Sequence, residues 1–350
     1  AAAVGLCYPA GMPQPPEIPR LDTRRLDPAR PEDLDAAVAL LRAGRLVAVP
    51  TETVYGLAAD ARNPEAVRGI FAAKGRPANH PLIVHLPDAA HLSRWAVDIP
   101  DTAWRLAEAF WPGPLTLLLP KAPDVPGEVT GGRPSIGLRV PAHPVMHVLL
   151  VRLDGGLAAP SANPYQRLSP TTADQVLAGL DGRIDAVLDG GPCEVGLEST
   201  IVDLTGHAAG EPPRIVRAGP ITRAQLEAAL GMPVDFPGQH TVAVPGNVAV
   251  HYRPGTPLRM FDTAALRARL DALPDDARIA LAHTSSDLPT SRGVIATLRL
   301  PADKPGFARA LYAALHTLDG TGADAIWLER PPEGEDWRDV HDRLSRAVSG

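Results

Sequence analysis

The residues best suited to chemistry in this chain stand at the ends of short apolar runs. In VPTETVYGL, residues 49–57, two threonines, a glutamate and a tyrosine follow RLVAV and end in glycine. Such a cluster either supplies hydrogen bonds to a ligand or closes an ordinary polar turn. KGR at 74–76 places Lys74 and Arg76 together; lysine offers a mobile point charge and arginine a rigid fork for phosphate or carboxylate, with a solvated surface role as the alternative. In GGRPSIGLRVP, Arg139 has apolar neighbours and so outranks Arg133 as a carboxylate ligand, with Ser135 as a nearby hydroxyl.

Three more stretches repeat the theme. APSANP carries Ser161 and Asn163 in a tight turn, GLESTIVDL places Ser199 and Thr200 at the entry to a strand, and PPRIVRAGP sets Arg217 before a glycine-proline turn. His85 follows PLIV at a strand end. No base stands beside Ser161 to make it a nucleophile, and distributed loop residues suit binding and orientation better than a covalent triad. No P-loop, kinase signature or HxExxH pattern occurs, so ATP chemistry does not follow from a familiar phosphate loop.

These residues need elements to hold them. PEDLDAAVALLRAG spaces Leu34, Ala37, Val38 and Leu41 as one helical face, and RLVAV reads as the next strand. TETVY therefore lies beyond a strand's C-terminal end, where open α/β proteins place ligand loops. NPEAVRGIFAAKGRP predicts a helix capped by Asn63 with Pro64 in its first turn, Lys74 and Arg76 arriving just beyond it. Thr172 with Gln175 and Thr222 with Gln225 have capping-box spacing. Residues 30–232 are thus expected to form a mixed α/β domain.

The segment from 233 to 256 is rich in proline and glycine without a helical period, and is long for a passive link. It is expected to be an ordered connector touching the first domain. From 257 to 350 the alternation of PLRMF, TAALRARLDAL, RIALAHT, FARALYAALHTLDG and ADAIWLER predicts a smaller doubly wound, Rossmann-like domain. It lacks GxGxxG and so gives no reason to assign a nucleotide to it. Residues 1–29 form an N-terminal extension whose start carries no functional weight.

Composition sets the outer bounds. The 350 residues suffice for two domains; two cysteines, Cys7 and Cys193, suggest neither a disulfide framework nor zinc chemistry. A net charge of -6 and 4% aromatic content argue against a broad nucleic-acid surface. Without an apolar span or a signal-type start, a cytoplasmic protein with no membrane association is expected.

Taken in order, PTETVYGL, KGRPANHPLIVH, PSIGLRVP, PSAN, ESTIVD and RAG resemble the YrdC-like threonylcarbamoyl-adenylate synthase family over about residues 30–230. HYRPG and the later FARALYAALHTLDG and HDRLSRA resemble its long two-domain form. The resemblance implies a nucleotidyltransferase that converts L-threonine, bicarbonate or CO2, and ATP with Mg2+ to L-threonylcarbamoyl-AMP and pyrophosphate. A downstream tRNA threonylcarbamoyltransferase would use the product at adenosine 37, with direct tRNA binding left open. It implies no protein-bound zinc or organic cofactor.

By resemblance, Thr53, His85, Arg139 and Ser199 bind threonine. Lys74 and Arg76 are the catalytic and ATP-binding cations, and Ser135, Ser161, Asn163, Ser169, Arg217 and Tyr252 further ATP contacts. His80 stands where the family's PxxNPL pattern carries asparagine, so it joins the ATP set as a replacement hydrogen-bonding group. Arg253 adds a charge within the family's HYxP signature. An RNA-binding module, and a YrdC-like carbamoyltransferase with another donor or acceptor, remain the alternatives.

Overall fold

A computed structural model describes residues 20–207, 210–238, 240–246 and 251–348. Cys7, most of the N-terminal extension and part of the connector lie outside the described residues. Two sheets organise the rest. Across the larger, ten-stranded sheet the order is Arg24–Leu26, Ala186–Leu188, Val47–Val49, Gly56–Asp60, Leu157–Ala158, Ile83–His85, Ser135–Arg139, Leu115–Pro120, Thr200–Asp203 and Arg214–Arg217.

The apolar run before TETVY becomes Val47–Val49, and the chain turns straight back as Gly56–Asp60, antiparallel to it. Gly56 therefore opens a strand instead of ending a loop. GLAAD has little intrinsic strand preference; pairing with Val47–Val49 on one side and Leu157–Ala158 on the other imposes it. Ile83–His85 and Ser135–Arg139 run parallel, which brings His85 and Arg139 level at one end of the sheet. Leu115–Pro120 and Thr200–Asp203 begin at that same end.

Local chemistry sets the helix boundaries. The Asn63 side chain accepts from the backbone N–H groups of Glu65 and Ala66, with Pro64 in the first turn. Lys74 is the last residue of this helix, Pro64–Lys74, and not beyond it; its side chain is consequently buried. Thr222 and Gln225 form the full reciprocal capping box. Thr172 and Gln175 form half of one, because the Gln175 carbonyl oxygen accepts from Thr171 instead of from the Thr172 backbone.

The second sheet is parallel throughout, ordered Leu258–Phe261, Ala325–Glu329, Ile279–His283, Val294–Arg299. Alternation decides its two faces: Ile279, Leu281, Ala325 and Trp327 meet the helix Thr263–Asp271, while Ala280, Ala282, Ile326 and Leu328 meet Lys304–Asp319. Val294–Arg299, absent from the sequence reading, is a half-exposed edge strand joined to its parallel neighbour by a loop. With only half its side chains even partly covered, it has a weak apolar pattern.

The two units share a core. Val54, Leu168, Leu197 and Tyr252 pack in one cluster with Phe307, Leu311, Tyr312 and Leu344. Gly196, at φ +81°, permits the contact, since a Cβ there would lie 2.6 Å from the Arg309 Cα.

Candidate active site

At the end of the large sheet where His85 and Arg139 stand, the TETVY turn, the 159–161 loop, Ser199, Arg217 and the connector line one narrow cleft. Three guanidiniums, of Arg76, Arg139 and Arg217, line it, and Glu198 is the sole carboxylate among its described lining. Such an excess of buried positive charge calls for an anionic ligand.

The turn itself is built by its hydroxyls. The Thr51 hydroxyl accepts from the backbone N–H groups of Thr53 and Val54, both at 3.2 Å, and donates to the Val54 carbonyl. Its own proton thus committed, Thr51 accepts the Thr53 hydroxyl proton over 2.8 Å. Arg139 donates to the Thr53 hydroxyl at 3.0 Å and to the Gly113 carbonyl at 3.1 Å, and its remaining nitrogen lies 2.6 Å from Glu52. That nitrogen and both Glu52 oxygens are buried without a well-aligned hydrogen bond. Tyr55, by contrast, is structural: fully buried, it donates to the Gly191 carbonyl at 2.8 Å.

His85 presents an unpartnered Nδ1 to the same end of the sheet. Burial first, and then Arg139, push its pKa down to about 3, so the ring is neutral at physiological pH. Ser199 shares a hydrogen bond of 2.8 Å with Thr116. Arg217 donates to the Ser199 hydroxyl at 2.9 Å, to the Ser199 carbonyl at 3.0 Å and to the Pro245 carbonyl at 3.0 Å, tying the connector to the cleft wall. Burial lowers its pKa to about 10 and leaves it charged. Arg76 likewise falls to about 10, holds the Pro81 carbonyl at 2.9 Å and keeps a buried, unpartnered Nε.

Tyr252, in the connector, is 1% exposed and covers the cleft with its backbone in the left-handed region at φ +58°. That conformation costs a residue of its size about 1–2 kcal/mol, offset here by packing. Its ring stacks on Tyr312 at 5.7 Å and meets His251 edge-on at 4.0 Å. Burial pushes the Tyr252 phenol up to about 12 and His251 down to about 3.

The residues singled out from sequence thus divide. Thr53, Arg76, His85, Arg139, Ser161, Ser199, Arg217 and Tyr252 line the cleft. Lys74 lies behind the wall: its ammonium donates to the Ser161 and Asn163 carbonyls, and burial, then Arg76, drive its pKa well below the usual lysine value. Asn163 is buried beside it, donating to the Pro164 and Arg167 carbonyls. Ser169 is buried and gives its proton to Glu198 at 2.6 Å. His80, half-exposed, meets Tyr165 edge-on at 5.6 Å, and Ser135 starts its strand half-exposed.

Sequence reasoning gave no individual role to Glu52, Thr116, Glu198 or His251, although Glu52 and His251 stand in stretches it singled out. Glu52 and Glu198 carried a legible signal, a carboxylate inside an otherwise apolar or hydroxylic stretch, TETVY and ESTIVD. Tyr312 and Arg343, which reach Glu198 at 3.1 and 2.9 Å from 114 and 145 residues away, carried none.

Comparison with known proteins gives a consistent result. Residues 39–219 match the Sua5/YciO/YrdC family profile described as "Telomere recombination", and residues 221–349 match "Threonylcarbamoyl-AMP synthase, C-terminal domain". The threonylcarbamoyl-AMP synthase of Pyrococcus abyssi is 36% identical over 89% of this chain and 92% of its own. That of Bacillus subtilis is 36% identical over 90% and 92%. The crystal structure of P. abyssi Sua5 complexed with L-threonine superposes with a TM-score of 0.82, covering 93% of this chain and 98% of that one at 32% identity. The chain belongs to the Sua5/YciO/YrdC family, as a threonylcarbamoyl-AMP synthase of the two-domain form.

Proposed function

We infer that this protein is a threonylcarbamoyl-AMP synthase, making L-threonylcarbamoyl-AMP and pyrophosphate from L-threonine, bicarbonate or CO2, and ATP, for threonylcarbamoylation of tRNA. The observation that carries the reading is the convergence of Thr53, His85, Arg139 and Ser199 with Arg76 and Arg217 in one cleft under Tyr252. Arg139 would take the threonine carboxylate, sharing with it the nitrogen that is poorly aligned on Glu52 at 2.6 Å. Thr53, Ser199 and neutral His85 would read the remaining polar groups. The relative crystallised with L-threonine supports a threonine subsite.

Two bonds must form in sequence. The unprotonated threonine amine attacks the inorganic carbon species, giving a carbamate and releasing a proton when CO2 reacts or water when bicarbonate does. A carbamate oxygen then attacks the α-phosphorus of ATP, and pyrophosphate leaves. Arg76 and Arg217 face the region where negative charge develops, and their fixed, desolvated positions make that stabilisation large. Lys74 would act from behind, holding the 161–163 loop at the height the phosphates require. Tyr252 and the connector exclude water, which would hydrolyse the carbamate, and keep it beside the nucleotide. Mg2+ enters with ATP as part of the substrate; among the described residues no group of three or more His, Cys, Asp or Glu side chains is placed to hold a metal.

The product implies a downstream enzyme that moves the threonylcarbamoyl group to tRNA. No helix among the described residues is long and apolar enough to cross a membrane. The deciding experiment is pyrophosphate release by purified protein with ATP, Mg2+, bicarbonate and L-threonine, with mass detection of the adenylate and omission of each substrate in turn. Product that requires all substrates is expected; threonine-independent pyrophosphate without adduct would overturn the assignment.

A further inference from the structure

We propose that Arg343 and Tyr312, both from the second domain, are positioning residues for the reaction: they clamp the Glu198 carboxylate and through it fix Ser199 and Arg217. The inference rests on the function proposed above. Glu198 is the residue before Ser199 and lines the cleft. Its carboxylate accepts from Ser169 at 2.6 Å, from the Tyr312 hydroxyl at 3.1 Å and from Arg343 Nε at 2.9 Å. Two of those three donors belong to the second domain.

Arg343 does more than neutralise a charge. Only 1% exposed, its guanidinium also donates to the Ala218 carbonyl at 2.8 Å, the residue after Arg217. One side chain therefore grips two segments, 198–199 and 217–218, that present Ser199 and Arg217 to the cleft. Arg217 closes the ring by donating back to Ser199. Backbone contact locks the same place: a Cβ on Gly219 would lie 2.2 Å from the Thr200 nitrogen. Tyr312 also backs the Tyr252 ring, so the cover and the wall share one support.

The electrostatics show what the clamp prevents. Burial disfavours the Glu198 carboxylate, yet Arg343 and then Arg217 hold its pKa below the usual range, so it stays ionised. If Arg343 lost its charge, Arg217 would be the cation left to neutralise Glu198, and it would turn from Ser199 toward the carboxylate. A buried charge robbed of one partner recruits another or is expelled.

The test uses the full chain with Arg343→Met, Tyr312→Phe, Glu198→Gln and the double variant Glu198→Gln/Arg343→Met. KM for threonine and for ATP are read separately from kcat, with the threonine-induced rise in unfolding temperature as a readout independent of turnover. Arg343→Met is expected to lower kcat/KM about a hundredfold, as for breaking a buried ion pair. Tyr312→Phe should raise the KM for threonine about tenfold, with kcat changed less, as for loss of one hydrogen bond to a charged group. The double variant should recover at least about tenfold over Arg343→Met, because the Glu198 carboxylate is then no longer stranded, and Asp342, the other partner of Arg343, keeps its pairing with Arg346. Folded Arg343→Met and Tyr312→Phe proteins within about twofold of the unaltered enzyme would overturn the proposal, as would a double variant whose loss is the product of the single losses. If Arg343→Met does not fold, Tyr312→Phe and the double variant decide. Absence of adduct from the unaltered chain would instead overturn the function, and the clamp would then stand or fall on the ligand-induced unfolding shifts.

Discussion

The ends of the two sheets solve one electrostatic problem in opposite ways. In the large sheet, the end bearing His85 and Arg139 is left incomplete, with the Arg76 Nε, His85 Nδ1 and one Arg139 nitrogen buried and without aligned partners. In the small sheet the corresponding end of Ala325–Glu329 carries its own anion. Glu329 accepts from Thr263 at 2.7 Å, from the Thr284 hydroxyl at 3.1 Å, from the backbone N–H groups of Thr284 and Ser285 at 2.8 and 2.9 Å, and from the Ser285 hydroxyl. Burial opposes the charge, but these donors pull the Glu329 pKa down to about 2. A nest of donors that would suit a phosphate is thus filled from within. On the function and clamp proposed above, the open end is the ligand site, and the filled end leaves the smaller α/β domain the role of a support.

The severest test of this contrast is to empty the open end. Arg139→Met would strand Glu52, whose side chain is 5% exposed, and remove the expected carboxylate ligand. Threonine-dependent pyrophosphate release should fall by about three orders of magnitude, in line with the ~3–5 kcal/mol cost of breaking a buried pair. Retention of threonine affinity in a titration of that variant would break the comparison.

Lys74→Met should act through the 161–163 loop. A loss of about 2 kcal/mol in unfolding free energy, with a raised KM for ATP, is expected if the ammonium serves the Ser161 and Asn163 carbonyls. A fall in kcat at unchanged stability would instead place the ammonium on the phosphates.

At the closed end, Glu329→Gln should reduce stability by about 1–3 kcal/mol while leaving kcat/KM unaltered. Loss of activity without loss of stability would mean that this end is functional. The same residue gives a pH signature. Because its folded-state pKa lies below the unfolded value, Glu329 stabilises fully above the ordinary carboxylate range and ceases to do so as the pH falls toward about 2. Acid unfolding of Glu329→Gln should lose that component of its slope.

The smallest effect concerns His85. Its ring stays neutral down to about pH 3, so His85→Gln should lower threonine affinity about fivefold, as for one neutral hydrogen bond, without changing the shape of the pH-rate profile between about pH 6 and 9. A lost or displaced limb would mean that the ring titrates during turnover.

Much of this was legible in the chain itself. Asn63 and Pro64 announce a helix start, Thr222 and Gln225 a complete box, and the short strand-like runs PLIVH and IGLR end on His85 and Arg139. All depend on neighbours within a few residues, where local stereochemistry decides. Gly56–Asp60 and Val294–Arg299 were not legible, since an alanine-rich segment and a half-exposed edge become strands only through the partners beside them.

The sequence by itself determined which groups could bind an anion, and which loops would carry them, because residue type and local pattern suffice for that. Tertiary structure alone decided which groups face the cleft. Lys74 and Arg76 are two residues apart, yet one is spent on backbone carbonyls behind the wall and the other looks into the cleft. It also joined Glu198 to Tyr312 and Arg343, since burial, desolvation and the pairing of charges are properties of distance in space, which separation along the chain does not encode.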